Sequence, residues 1–286
     1  MRAAWRGETD TGAQAALHES WFEGDAPWVL ASPEQLRALR DLEARFDLLE
    51  ADGSTRVGIG VATGCDRVFI VDADANIEPE RLVPLVMRAD LQSGRIRDAR
   101  RRVIHTFRDD GSVVDLKDHP RLAAWLEENR EAVRARHVAQ KNPGAWFRTI
   151  DRVYPALVGT PKLLIPDIAG SNEVVFDEGR YHPHHNLYFI TSARWDLEVL
   201  GGLLSSRVAL FFVWSYAVKM RGGYLRFQAQ YLRRIRVPRP ESLAPELLDA
   251  LRDAFRRRDF AALDALALRA YEIVSLPVFD FVDTRR

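Results

Sequence analysis

The sequence predicts an α+β fold, a mixed sheet and hairpin domain with flanking helices and a C-terminal helical segment. Three observations predict it. Short strand-like runs with period-2 alternation, such as Val57, Ile59 and Val61, are closed by turn residues. Helix-period runs with capping signals stand before and after them. The two kinds of segment mix without a strand–helix–strand rhythm, which argues against a parallel sheet.

The elements are taken in chain order. Residues 1–52 read as an N-terminal linker and one helix. Trp5, Trp21, Phe22 and Trp28 are scattered among small and acidic residues, and isolated tryptophans in such a segment call for a covering surface. A helix then starts at Ser32 as N-cap, with Pro33 at the first position and Gln35 completing a capping box. Leu36, Leu39, Leu42, Phe46 and Leu49 recur at helical spacing, and Asp52-Gly53 ends the run.

Residues 53–240 read as the central domain. Val57–Val61 and Val68–Val71 predict a hairpin about the turn Thr63-Gly64-Cys65-Asp66. Gly58 and Gly60 leave one face of its first strand bare, which marks close approach by backbone or ligand. Arg102–Phe107 and Ser112–Leu116 predict a second hairpin about Asp109-Asp110-Gly111. Leu122, Trp125, Leu126 and Val133 predict helix after Pro120, and Lys162–Ile168, Glu173–Phe176 and Leu187–Ile190 predict strands. Trp195 to about Val218 reads as one apolar helix. Residues 241–286 close the chain with two amphipathic helices, near Pro245–Arg257 and Phe260–Val274.

Composition narrows the function classes. A chain of 286 residues, 47% hydrophobic and 29% charged, can bury a sizeable core. The single cysteine, Cys65, excludes a disulfide framework and a cysteine zinc site, and suits a reducing, cytoplasmic compartment. The N-terminus has no apolar signal-peptide region. Val199–Val218 has about the ~20 residues a bilayer needs. Arg207 at its centre would cost roughly 2.5–3.5 kcal/mol there, so a core helix is expected and no membrane partner.

Charge is unevenly spread although the chain nets +0. Residues 1–80 hold sixteen Asp/Glu against seven Arg, net −9. From Ser205 to Pro240 there is no acid, while Arg207, Lys219, Arg221, Arg226, Arg233, Arg234, Arg236 and Arg239 make it +8. A smaller basic cluster runs from Arg95 and Arg97 to Arg102. A solvated arginine face is the plain alternative. In RGGYLRFQAQYLRRIRVPRP, however, Gly222-Gly223 gives a tight turn, and Tyr224, Phe227 and Tyr231 alternate with Arg221, Arg226, Gln228, Gln230, Arg233 and Arg234. Arginine can read guanine bidentately and glutamine adenine, while Lys219 and further arginines can hold phosphates. Duplex DNA is therefore the expected partner.

Other chemistry finds less support. Gly58-x-Gly60 lacks the third glycine of a dinucleotide loop, because position 63 is threonine, and the next residues, DRVFIVD, read as strand. His182, His184 and His185 form a cluster, but Pro183 interrupts it and no carboxylate or cysteine lies at ligand spacing, so a turn is expected and no metal. Asn142-Pro143-Gly144 lacks the second proline and aromatic of an adenine-methyltransferase loop. Asp167, Asp177 and Asp196 form no nuclease-like or nucleophile–histidine–acid pattern with Lys162. No catalytic residue is assigned.

Five patches in order resemble the specificity region of TaqI-like and type IIG restriction–modification DNA methyltransferases that modify adenine. They are VGIGVATGCDRVFIV (Val57–Val71), LVPLVMRADLQSGRI (Leu82–Ile96), TPKLLIPDI (Thr160–Ile168), LGGLLSSRVALFF (Leu200–Phe212) and KMRGGYLRFQAQYLRRIRVPRP (Lys219–Pro240). The resemblance spans roughly residues 30–275. It implies a target-recognition domain that grips duplex DNA while a catalytic domain flips the adenine. The family's cofactor glycine loop and Asn-Pro-Pro-aromatic motif are not in this chain. S-adenosylmethionine is therefore expected on a methyltransferase domain or subunit outside it. The implied DNA-facing residues are Thr63, Gly64, Arg95, Arg97, Lys162, Lys219, Arg221, Gly222, Gly223, Tyr224, Arg226, Gln228, Gln230 and Arg233. A protein-binding scaffold in a phage-defence complex is the alternative.

Overall fold

A computed structural model describes residues 28–97, 99–169, 173–220 and 224–279. In chain order the regular elements are α1 (Pro33–Arg45), β1 (Asp47–Leu48), β2 (Arg56–Ile59), α2 (Asp66–Phe69), β3 (Ile70–Asp72), β4 (Leu82–Val86), β5 (Leu91–Gln92), β6 (Arg95–Ile96) and β7 (Arg101–Ile104). Then come α3 (Pro120–Glu128), α4 (Arg130–Arg134), α5 (His137–Lys141), β8 (Lys162–Pro166), β9 (Ile168–Ala169), β10 (Val175–Asp177), β11 (His182–Pro183) and β12 (Leu187–Thr191). The chain ends with α6 (Leu197–Leu204), α7 (Arg207–Tyr216), β13 (Leu225–Arg226), α8 (Ala229–Leu232), β14 (Arg236–Val237), α9 (Pro245–Arg257) and α10 (Phe260–Ala270). The architecture is the expected α+β mixture.

Two four-stranded sheets organise it, in the orders β10-β8-β12-β2 and β11-β4-β7-β3. The first is antiparallel throughout. In the second, only the β11–β4 pair is parallel. Small two-stranded ribbons join β1 with β14, β13 with β9 and β5 with β6.

The N-terminal helix forms as its capping signal requires. Ser32 Oγ accepts from the Gln35 amide at 3.2 Å, and Gln35 Oε1 accepts from the Ser32 amide at 2.7 Å. Leu36, Leu39 and Leu42 are its buried face. It stops at Arg45, nearly two turns short of the expected end, because Asp47 and Leu48 leave to pair with Val237 and Arg236. Leu49 is buried all the same.

The first expected hairpin does not exist. Val57 pairs with Ile190 and Ile59 with Tyr188 in one sheet, whereas Ile70 pairs with Val103 in the other. Asp66–Phe69, read as strand, begins instead as a helical turn. The second hairpin is present in reduced form, with Phe107 bridged to Val113 and the Arg108 amide donating to Ser112 O at 2.7 Å.

The apolar segment is two helices, not one. α6 and α7 bend by 61° at Ser205–Ser206. Ser206 Oγ accepts from the Ala209 amide and donates to Leu203 O at 2.6 Å, so it caps the new helix and ties off the old one. Among the described residues no single helix is long and apolar enough to cross a membrane. All of Leu197–Leu204 except Glu198, and all of Val208–Trp214, are buried in the main hydrophobic cluster with α1, β8, β12, α9 and α10.

The glycine pattern of β2 is explained by close packing. A Cβ on Gly58 would meet the Phe189 ring, and one on Gly60 would lie 2.2 Å from His184 O. No nucleotide is needed to account for them. Gly60→Ala is expected to cost about 1–3 kcal/mol, as overpacking against backbone that cannot yield. Urea unfolding monitored by circular dichroism checks this, and a variant as stable as the parent would contradict the packing seen at that strand.

Candidate nucleic-acid interface

From Leu225 to Val237 the basic stretch is built as a ribbon strand, a turn of helix and a second short strand. β13 pairs with β9, placing Leu225 opposite Ala169 and Arg226 opposite Ile168. The buried side chains of Leu225, Phe227, Leu232, Ile235 and Val237 anchor it to the core. Between the anchors, Tyr224, Gln230 and Arg233 are exposed, and Arg226 and Gln228 are half-buried. Ile168 on the paired strand and Ile59 at the end of β2 are exposed apolar side chains, 45% and 52% accessible, that the sequence did not single out.

Many of the positive charges here are already engaged. Arg226 pairs with Asp167, Arg233 Nε lies 3.0 Å from Glu50 Oε2, and Arg239 Nε lies 2.9 Å from Asp47 Oδ2. Arg233 also donates to Val57 O at 2.7 Å, and Arg236 to Phe46 O at 3.3 Å. Lys219 stands 3.8 Å over the Trp214 ring and Arg234 4.5 Å over Tyr216. The acids missing from the stretch are thus partly supplied by the acidic N-terminal third. The charge asymmetry is in part an internal complementarity.

The other expected contacts divide. Arg95 and Arg97 are exposed on and just beyond the β5–β6 hairpin, which packs on β10 through Ile96. Gly64 is exposed with φ +79°, in a turn against Ile150 and Arg136. Two assignments are corrected. Thr63 is fully buried, and its hydroxyl donates to Asp66 Oδ1 at 2.6 Å. Lys162 is fully buried, with Nζ 2.9 Å from Asp177 Oδ2. Neither can touch a ligand in this fold. The basic stretch is tied to β2 by Arg233, which donates to Val57 O. Arg221, Gly222 and Gly223 lie outside the described residues, as do Trp5, Trp21 and Phe22.

The sequence also missed Arg136. It is buried and donates to the carbonyls of Val133, Thr63 and Trp146, fixing the 63–66 turn. Nothing in its local sequence marks it out.

The histidines need one correction. A carboxylate does stand beside them, because Asp66 Oδ2 lies 3.0 Å from His184 Nε2 across 118 residues of sequence. Asp66, His184 and His185 could hold a divalent ion, their ligand atoms lying within 4.8 Å of one another. The hydrogen bond already accounts for the Asp66–His184 approach without one. Burial pushes the His184 imidazole down, toward its neutral form.

The basic, aromatic-bearing ribbon falls within the region that a family comparison matches. Residues 126–237 match the TaqI-like C-terminal specificity domain. The matched region includes β8 to β14. Over 259 residues, 90% of this chain, the sequence is 48% identical to the type II methyltransferase M.BstVI of Geobacillus stearothermophilus. It is 49% identical over 249 residues to the type II methyltransferase M.XhoI of Xanthomonas vasicola. These matches cover 46% and 45% of the two relatives, so the chain spans about half the length of each. Among solved structures, the type IIL restriction–modification enzyme MmeI, solved in complex with DNA, aligns with a TM-score of 0.55. At 14% identity over 78% of this chain and 33% of that one, the likeness is one of fold. Residues 126–237 thus resemble a specificity domain, and most of the chain is similar to part of type II methyltransferases.

Proposed function

We propose that this chain recognises a specific duplex DNA sequence on behalf of a cytoplasmic, adenine-specific, S-adenosylmethionine-dependent DNA methyltransferase of a restriction–modification or phage-defence system. Methyl transfer belongs to a separate domain or subunit, outside residues 1–286. The observation that carries the reading is the ribbon from Tyr224 to Arg233. It presents aromatic, amide and guanidinium groups on a rigid support, within a region matching a specificity domain. Phosphate contacts would set register there, and base edges would be met by Arg226, Gln228 and Gln230. A protein-facing role has one specific support. Trp28, Leu30, Val274 and Val278 are strongly exposed, and Gln35 Nε2 bonds Val278 O to bring the two ends of the described chain together. A catalytic domain is the partner that fits this proposal.

Fluorescence anisotropy with a short labelled duplex tests the reading. With about four phosphates neutralised, affinity is expected to fall roughly a hundredfold between 50 and 200 mM salt. Absence of binding at low salt, even with a methyltransferase partner supplied, would overturn it. Tight S-adenosylmethionine binding by this chain alone would overturn the placement of catalysis elsewhere.

A further inference from the structure

The Arg226–Asp167 pair has a geometry that bears on which base is read. Arg226 Nε donates to Asp167 Oδ1 at 3.4 Å, and Nη2 donates to Oδ2. A guanidinium has a side edge formed by Nε with one terminal nitrogen, and an end edge formed by its two terminal nitrogens. Asp167 takes the side edge. The end edge is left pointing away from the carboxylate, on a side chain that is 36% exposed against 20% for Asp167.

Both partners are held from behind. Asp167 donates its amide to Asn186 O at 3.1 Å and accepts from the Phe227 amide at 2.7 Å. Leu225 and Phe227, on either side of Arg226, are buried. The guanidinium is thus held by the carboxylate of a residue whose backbone is itself held by two hydrogen bonds. A surface ion pair formed only for stability contributes little and would not need this support.

We infer that Arg226 reads a guanine through its end edge and that Asp167 is its positioning residue. In the major groove only guanine presents two acceptors, N7 and O6, side by side. Adenine offers an acceptor and a donor, thymine an acceptor and a methyl, and cytosine a donor. A fixed two-donor edge therefore discriminates for guanine. The Asp167 carboxylate adds a second effect. It repels phosphate, so Arg226 contributes less to binding of unrelated DNA than a free arginine would. The inference rests on the duplex-recognition reading above and deepens it.

Enrichment of random-sequence duplexes by the full chain supplies a consensus, and 7-deazaguanine placed at each of its guanines in turn supplies the test. At one position the parent protein is expected to lose roughly tenfold or more in affinity, while Arg226→Ala loses nothing further there. Arg226→Lys keeps the charge but not the fork, and should relax the same position only. Asp167→Asn should relax it too, and should bind unrelated duplex several-fold more tightly. Thermal melts confirm that each variant is folded, and the lysine variant serves if the alanine one is not. An unchanged consensus with a uniform loss of affinity would make Arg226 a phosphate contact and overturn the assignment. Unchanged affinity in all variants would reduce the pair to a structural one, with the same result. Failure of the parent to enrich any duplex would instead sink the DNA-recognition reading, and this assignment with it.

Discussion

Lys162→Ala is expected to destabilise the protein by about 3–5 kcal/mol, the cost of stranding a buried charge. Lys162 and Asp177 face each other across the β8–β10 pair and are both fully buried. Nζ reaches Asp177 Oδ2 at 2.9 Å and Tyr181 O at 3.0 Å. The carboxylate also accepts from the amides of Arg180 and Tyr181. Burial pushes the Lys162 ammonium down from its ordinary value, and only the Asp177 contact opposes that. Removing the lysine leaves Asp177 charged in the interior. Replacing both residues with apolar ones of similar volume, Lys162→Met with Asp177→Leu, should cost less than Lys162→Ala alone. Chemical denaturation of the three proteins decides the matter. A single-variant loss under about 1 kcal/mol would mean that water reaches the site.

Acid is expected to destabilise the fold in a window set by two buried histidines. His182 is held as the neutral ring. Nδ1 faces Pro183 O at 2.9 Å, and Nε2 accepts from the Tyr154 amide at 3.3 Å. Protonating Nε2 would break the second bond. Burial brings His182 down to about 4, with the Lys162 charge acting in the same direction. Burial also brings His105 down to about 4, helped by Arg81 and Arg152. Each is lowered from an ordinary value of 6.5, so the unfolded chain binds protons first as pH falls. The contribution is fully present above pH 6.5 and is lost progressively as pH drops toward 4. It amounts to on the order of 3 kcal/mol for each ring. Melting temperature followed from pH 7 to 4.5 should decline through this window, and His182→Gln should flatten the slope. A melting temperature that stays level there would show that the two rings are not held neutral.

What the sequence made legible was local. The capping box at Ser32 and Gln35 involves four consecutive residues, and it formed as read. α9 and α10 were readable because their apolar faces repeat over three turns and end at Arg258, in the left-handed conformation, and at Tyr271. The basic stretch was visible as a composition anomaly, and Tyr224, Gln230 and Arg233 in it are exposed. What was not legible was pairing over distance. Val57 finds its sheet partner Ile190 far down the chain, so alternation near a turn mimicked a hairpin. Lys162 looked like a DNA contact because Asp177 becomes its partner only once β8 and β10 lie side by side. The break at Ser205–Ser206 had a local signal, a serine able to cap, but the apolar run on both sides concealed it.

Asp47, Glu50 and Asp167 have a consequence for exchanging specificities. They lie outside the Lys219–Pro240 segment yet neutralise or aim three of its arginines. A chimaera that imports only that segment from a relative would receive arginines set for carboxylates the host does not supply. The transferable unit is therefore discontinuous. It comprises the basic segment, the end of β8 with β9, and the loop from α1 to β2, and recoding of the recognised site should succeed when all three travel together.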